Sequence, residues 1–255
     1  TIYTLGTDGG EAVSLNNMAG GTMIIAGDDE VTVTNTIQNA GSIMLAVDVN
    51  GTGRLVGNVN TTAGGSLNLG VGGNVDGAVE NAGSLSGYGT ITGNLTNNNT
   101  TPGNTVDFGG RVDGTVTNTG TLGTNGDLRV GALTNTGGTV NIDANDRLIV
   151  TPPVANSGAL NIAGVLQGGV VNSAVGTITM TNDNAAITAN ATNNGIMHIR
   201  GEIAGQLINN HLLDTDGNVT VNDLFVGTNG VTTIEQGHTL TATQQVQNHG
   251  TVAVA

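Results

Sequence analysis

The chain of 255 residues is poor in charged and aromatic side chains, and its few charges are strongly unbalanced. It has five arginines, no lysine and 19 acidic residues, so its formal net charge is −14. That charge excludes the basic footprint of a nucleic-acid-binding protein and disfavours attraction to anionic lipid. The chain has no cysteine, and none of its apolar runs approaches the about 18 residues of a membrane-spanning helix.

From the beginning of the chain, an asparagine with glycine close behind it returns about every 19 residues. Residues 1–38 follow the pattern loosely, but the sequence at 19–23 resembles that at 63–67. A period of this length is typical of a solenoid, in which every unit is one coil stacked on its neighbours. We therefore predict a single β-solenoid domain over residues 1–255, a segment of a longer secreted protein. The recurring asparagines are Asn17, Asn39, Asn60, Asn81, Asn97, Asn118, Asn135, Asn156, Asn172, Asn193, Asn209, Asn229 and Asn248.

Three units of 16 residues, starting at Asn81, Asn156 and Asn193, show the pattern within one coil. Apolar residues follow 4, 10 and 14 positions after the asparagine, and glycines follow at 8 and 12. This period-two alternation is typical of strands with one buried face, while glycine is common where a strand bends. The first unit supplies Leu85, Ile91 and Leu95, the second Leu160, Leu166 and Val170, and the third Met197, Ile203 and Leu207.

Stacking such units in parallel about 4.8 Å apart gives a β-helix roughly 60 Å long. The fold class is therefore all-β, a right-handed parallel β-helix of about 13 coils with 16–22 residues each. The recurring asparagines are expected at bends, where their amides can bond to the backbone and to the asparagines above and below. The structural anchors predicted in this way include Asn39, Asn81, Asn118, Asn135, Asn156, Asn172, Asn193, Asn209 and Asn248.

Residues 83–105 read GSLSGYGTITGNLTNNNTTPGNT and carry a family resemblance. The first part resembles the G-x-L-x-G-x-G-T-[IV]-x-G-x-[VL] repeat of Gram-negative autotransporter passenger domains, and residues 102–105 resemble its P-G-N-[ST] turn. Filamentous-haemagglutinin-like secreted adhesins have similar repeats. The resemblance implies a right-handed parallel β-helix at the bacterial cell surface. Neither a signal peptide nor a translocator barrel is visible in the chain, so the secretion route stays open.

Two acidic segments are candidate calcium sites. Asp214, Asp216 and Asp223 fall at positions three, five and twelve of a calcium loop, but Leu212 stands where the first ligand should be. A plain Asp-Gly turn is the alternative. Residues 28–30 (Asp-Asp-Glu) would point alternately on a strand, which favours a solvated bend over a metal site. No other cofactor is expected.

The remaining charged residues indicate surface positions. Residues 111, 129 and 147 are arginines about one coil apart, so they are expected to stack beside aspartates 113, 127 and 146. The histidines at 198, 211, 238 and 249 lack ligand spacing and fit exposed turns. Pairs of threonines could order water as on ice-binding solenoids, but the aligned units do not repeat them.

Sequence motifs of an enzyme are missing. The seven serines lack the G-D-S-G context of autotransporter-like proteases. Polysaccharide lyases and hydrolases need clustered acids and favour aromatic platforms, whereas the only aromatics besides histidine are Tyr3, Tyr88, Phe108 and Phe225. We therefore predict a protein that is not an enzyme.

These inferences lead to a non-enzymatic, extracellular structural or adhesive β-solenoid at a bacterial cell surface. Its expected partners are receptors or glycans on hosts or surfaces, or copies of itself associating end to end or laterally. Nucleic acid is not expected as a partner, and no membrane span is expected in this segment. The first alternative is a filament subunit that stacks end to end; the second is a carbohydrate-active phage tailspike or polysaccharide lyase.

Overall fold

The computed structural model describes residues 2–4, 10–46 and 51–255, and all regular structure in these ranges is β-strand. The strands stack in parallel as a β-solenoid of about 12 turns, which confirms the predicted fold class. Thirteen asparagine anchors enclose twelve intervals, which accounts for the difference from the predicted 13 coils. The chain divides into two compact units, Thr1–Gly131 and Ala132–Ala255.

Each turn has three short strands, which define a first, a second and a third face. In the first unit, Ser66–Leu69 lies on the first face, Asn74–Asp76 on the second and Val79–Asn81 on the third. Each of these strands pairs in parallel with the strands one turn before and one turn after it. The bends between faces therefore bring side chains from successive turns into register.

The strands of the first unit follow this three-sided plan. The first face holds Ile2–Thr4, Thr22–Ile25, Ser42–Leu45, Ser66–Leu69, Ser84–Gly87, Val106–Phe108 and Thr121–Thr124. The second face holds Gly10–Ala12, Glu30–Val33, Arg54–Val56, Asn74–Asp76, Thr90–Ile91 and the beginning of Arg111–Asn118. The third face holds Asn16–Asn17, Ile37–Asn39, Val59–Thr61, Val79–Asn81, Leu95–Asn97 and the end of Arg111–Asn118.

The second unit repeats the plan, with strands that run through several bends. The strand Asp127–Asn135 contains the division point, and its end pairs with Val154–Asn156. Three long strands, Ile196–Asn209, Leu212–Val226 and Leu240–Asn248, cross from face to face. The remaining strands are Thr139–Ile142, Arg147–Val150, Val154–Asn156, Ala159–Ile162, Val165–Gln167, Val170–Asn172, Thr177–Met180, Ala186–Ile187, Ala191–Asn193, Val231–Ile234 and Thr251–Val254.

The core of each unit consists of columns of like side chains. Alternate residues of the strands point inward, and each lies above the equivalent residue of the previous turn. Burial of one such side chain contributes about 1.5–3 kcal/mol. On the first face, one buried column of the first unit is Met23, Ile43, Leu67, Leu85 and Val106. Its counterpart in the second unit is Val140, Leu160, Ile178, Met197 and Leu213.

Candidate functional site

The asparagine anchors of the second unit form one continuous buried column at the end of the third face. The Nδ2 of each of the first four members donates a hydrogen bond of 2.8–2.9 Å to the Oδ1 of the next asparagine, and also to backbone carbonyls at the adjoining bend. Their exposed fractions are 2% or less, so their amides hold the bends and cannot touch a ligand. The members are Asn135, Asn156, Asn172, Asn193 and Asn209.

The first unit has the same column with an interruption. Asn17 donates to Asn39 at 2.8 Å, and the last link runs from Asn97 to Asn118 at 2.7 Å. Between these links the column position belongs to the buried Thr61, because the register pairs Thr61 with Asn39 and Asn81. Asn60 lies one residue earlier, opposite Gln38 and Glu80 on the outer surface. A prediction based on the nearest asparagine in the sequence therefore selects Asn60 and misses Thr61.

The two last predicted anchors of the second unit also differ from the buried column. The register places Val226, and not Asn229, after Asn209. Asn209 donates instead to the Val231 carbonyl at 2.9 Å and to the Thr232 hydroxyl at 3.1 Å. Asn248 follows Val226 in register, is exposed, and accepts a hydrogen bond from the Gly250 amide through Oδ1.

Of the three candidate calcium ligands, Asp223 lies apart from Asp214 and Asp216. Asp214 is on the first face, in register with His198, whose Nδ1 lies 3.8 Å from Asp214 Oδ2 and 3.9 Å from Asp216 Oδ1. Asp223 is in register with Gln206 further along the turn, and it accepts a hydrogen bond from the neighbouring Asn222. Within the ranges that the structure describes, no three His, Asp or Glu side chains are grouped as a metal site would require.

The acidic residues at 28–30 likewise have separate surroundings. Asp28 has a left-handed backbone with φ 69°, and its Oδ1 accepts the Thr52 amide at 3.4 Å. Asp29 is buried, whereas Glu30 points outward and pairs with Arg54 at 2.5 Å. This segment is therefore a bend followed by Glu30, which forms an ion pair.

Arg54 connects three successive turns on the second face of the first unit. It pairs with Glu30 on one side and with Asp76 on the other, and these bonds, the one to Glu30 most of all, raise its pKa. Asp76 also accepts a hydrogen bond from Thr92 Oγ1 at 2.8 Å. That bond and then the Arg54 guanidinium hold the pKa of Asp76 below its usual value. The Arg54 guanidinium offsets one of the two carboxylate charges, and its ion pairs link the three turns.

Two members of the predicted arginine stack, Arg111 and Arg129, lie in the first unit. Arg111 forms an ion pair with Asp113. The Arg111 amide bonds to the Gly89 carbonyl and the Arg129 amide to the Gly110 carbonyl, which places Arg129 one turn after Arg111. Exposed pairs of this kind contribute about 0–1 kcal/mol.

The other histidines have separate partners at bends. His211 Nδ1 lies 3.1 Å from the Gly195 carbonyl oxygen, and His238 Nδ1 lies 2.8 Å from the Thr215 carbonyl oxygen. The ring of His249 lies 5.5 Å from that of Phe225, centroid to centroid. The structure therefore gives no shared site for them.

A groove on the second unit brings polar side chains together at the bend between the first and second faces. Its volume is about 440 Å³, within the range of ligand pockets in proteins. We call it the lateral groove. It is lined by Asp183, Gly201, Glu202, Asn218, Val219, Thr220, Thr239 and Thr241.

Glycine and arginine shape one wall of the lateral groove. Gly201 has φ +80°, and a Cβ added to it would lie 2.2 Å from the Ala185 carbonyl oxygen, so only glycine fits there. Arg200 Nη1 lies 3.7 Å from Asp183 Oδ1, and its Nη2 donates to the Asp216 carbonyl. The guanidinium thus lies beside Asp183 at the edge of the groove.

The floor of the lateral groove carries one hydrogen-bonding side chain per turn. Glu202, Thr220 and Thr241 are in register on three successive turns, and all three are exposed. Asn218 Oδ1 accepts hydrogen bonds from the amide and the hydroxyl of Thr239. Sequence reasoning missed this site because its residues are dispersed over 183–241 and follow no motif.

In the parts of the chain that the structure covers, no helix has the length and apolar character needed to cross a membrane. Comparisons with known proteins found no matching family model, no similar curated protein and no similar solved structure.

Proposed function

We propose that this chain is a non-enzymatic structural and adhesive segment of an extracellular protein at a bacterial cell surface. In this role the stacked coils form a stiff, protease-resistant shaft, and their lateral faces make the adhesive contacts. The proposal rests on the fold, on the resemblance of residues 83–105 to autotransporter passengers, and on a composition suited to an acidic, lysine-free outer surface.

The observation that carries the proposal is the regularity of the turns. In residues 51–255 the longest connection between strands covers only residues 98–105, which is too short for a lid or a deep active-site pocket. Repeat proteins of this type use their extended lateral faces for contacts. A contact surface made of side chains on paired strands therefore suits this chain better than an enclosed catalytic centre.

Adhesion of coated beads tests the proposal directly. Beads carrying the folded chain should bind to bacteria, host cells or glycoprotein-coated surfaces, whereas beads carrying the heat-unfolded chain should not. Brief protease treatment of intact cells that make the full-length protein should remove the segment, since it is expected outside the cell. Equal binding by folded and unfolded chains, or a segment accessible only after lysis, would overturn the proposal.

A further inference from the structure

We propose that the lateral groove of the second unit binds an oligosaccharide that is neutral or carries amino groups. This proposal rests on the adhesive function proposed above and assigns a ligand class to it.

The shape of the lateral groove suits an extended ligand. Its lining residues come from four successive turns, represented by Asp183, Glu202, Thr220 and Thr241. Turns stack about 4.8 Å apart, so the groove runs along the stacking direction for roughly 14 Å. A pyranose unit of an extended glycan advances by a distance similar to one turn. Each successive sugar would therefore meet the polar side chains of another turn.

The side chains of the lateral groove match the hydroxyl groups of a sugar. The Glu202 amide donates to the Ala185 carbonyl, whereas its carboxylate has no hydrogen bond or ion pair within the described part of the chain and offers two acceptor oxygens. The hydroxyls of Thr220 and Thr241 can both donate and accept, and Asn218 keeps its amide nitrogen as a donor beside the bonds that its oxygen accepts. A ligand with many small polar groups can satisfy this set, whereas an apolar ligand would leave it unpaired.

Charge decides which sugars fit. Two carboxylates line the lateral groove, and the neighbouring Arg200 is already engaged by Asp183 and the Asp216 carbonyl. The whole chain carries a formal charge of −14. Sulfated, sialylated and uronic-acid-rich chains would therefore be repelled, while neutral sugars and protonated amino sugars would not.

The backbone around the lateral groove disfavours an added peptide strand. Ile196–Asn209 pairs with strands on both sides, including Leu212–Val226, and Leu212–Val226 pairs in turn with Leu240–Asn248. A peptide that binds by strand addition needs a free edge, which Ile196–Asn209 and Leu212–Val226 do not have. At the last turn of the groove, Leu240–Asn248 pairs with Leu212–Val226 and with no other described strand. Over the other turns, recognition must therefore use the outward side chains.

The test uses the full chain, a panel of immobilised tri- to hexasaccharides and two groove variants. The panel contains neutral, amino and sulfated sugars, together with an oligolysine peptide. We expect the wild-type chain to bind neutral or amino sugars, and Glu202→Gln and Thr220→Val each to bind about five- to tenfold more weakly. The matched controls Glu80→Gln, on the first unit, and Thr192→Val, on the third face of the second unit, should bind as the wild type does.

Several results would overturn the glycan proposal: absence of glycan binding, equal binding by groove and control variants, or binding only of the sulfated sugars or of oligolysine. The bead assay separates this failure from that of the proposed function. If groove variants adhere as well as the wild type, the lateral groove is not the adhesive site but adhesion stands. If the wild-type beads do not adhere, the adhesive function itself is wrong.

Discussion

At position 61, the asparagine column of the first unit lacks its amide. The buried Thr61 places Oγ1 in the column, and neither this atom nor Asn81 Oδ1 has a hydrogen-bond partner in the described structure. An asparagine side chain at this position should accept a hydrogen bond from Asn39 and donate one to Asn81. We expect Thr61→Asn to raise the free energy of unfolding by about 1 kcal/mol, measured by urea denaturation.

Two further variants show whether the gain in the free energy of unfolding comes from the amide of the introduced asparagine. Thr61→Val removes an unpaired hydroxyl without adding an amide, so it should be neutral or slightly stabilising. Asn60→Ala changes the neighbouring outward residue and should have an effect within about 0.5 kcal/mol. If Thr61→Asn is destabilising, the space left by Gly65 and Gly83 beside Thr61 Cγ2 is too small for the amide.

Gly87 occupies an inward position between Leu69 and the fully buried Phe108. Its φ is +106°, and a Cβ there would lie 2.0 Å from the Leu69 carbonyl oxygen. Gly87→Ala should therefore lower the free energy of unfolding by about 2–3 kcal/mol, through backbone strain and the clash. Gly64→Ala is the matched control, since the nearest atom to its added Cβ is 4.0 Å away. Similar denaturation midpoints for the two variants would contradict this account of Gly87.

At the scale of an element, the hydrogen bonds of the asparagine column link the bends of successive turns. Asn172 accepts from Asn156 at 2.8 Å and donates to Asn193 at 2.9 Å, so Asn172→Ala breaks two links of the buried column. It also removes the amide that donates to the Gly176 and Ile196 carbonyls. We expect a loss of about 2–4 kcal/mol in the free energy of unfolding.

The outward pair Asn161 and Asn141, joined at 2.8 Å, provides the control. Asn161→Ala removes the same amide from a partly exposed position and should cost about 0.5 kcal/mol or less. Equal losses for Asn161→Ala and Asn172→Ala in thermal and urea unfolding would show that burial does not determine how much the column contributes to the free energy of unfolding.

The network of Glu30, Arg54, Asp76 and Thr92 makes the second face of the first unit sensitive to acid. The pKa of Asp76 is lowered in the folded protein, first by Thr92 and then by Arg54. Its stabilising contribution is therefore fully present above the unfolded pKa of about 3.8, and it is lost as the pH falls through the folded value. We expect Asp76→Asn to flatten the decline of stability below about pH 4. Glu80→Gln should keep the wild-type decline in the same pH series of urea unfolding curves, and an unchanged slope for Asp76→Asn would contradict the assignment.

The elements also show what the sequence could and could not predict. Alternation around Leu85, Leu160 and Met197 predicted parallel stacked strands, because inward positions must match from turn to turn. The same counting placed Asn60 and Asn229 in the column, since it cannot distinguish an inward residue from its outward neighbour when a bend adds or removes a residue. The lateral groove could not be predicted, because turn lengths of 16–22 residues vary and only the register brings Glu202, Thr220 and Thr241 together.

At the scale of the whole molecule, the acidic charge is dispersed. The carboxylates of the described residues are engaged locally or stand singly, and no three of them converge with other ligands on one point. With a formal charge of −14, the chain should respond to cations mainly through screening. We expect Ca²⁺ and Mg²⁺ at equal ionic strength to shift the melting temperature by the same small amount, and Ca²⁺ titration calorimetry to show no saturable site.

The variant Asp214→Asn makes this expectation specific. Asp214 and Asp216 flank His198 and are the nearest approach to a ligand set among the predicted calcium residues. If the charge acts only by screening, Asp214→Asn should show the same response to Ca²⁺ as the wild type. A stabilisation by Ca²⁺ that exceeds that by Mg²⁺, and that disappears in Asp214→Asn, would show that the Asp214 and Asp216 carboxylates suffice to bind the ion.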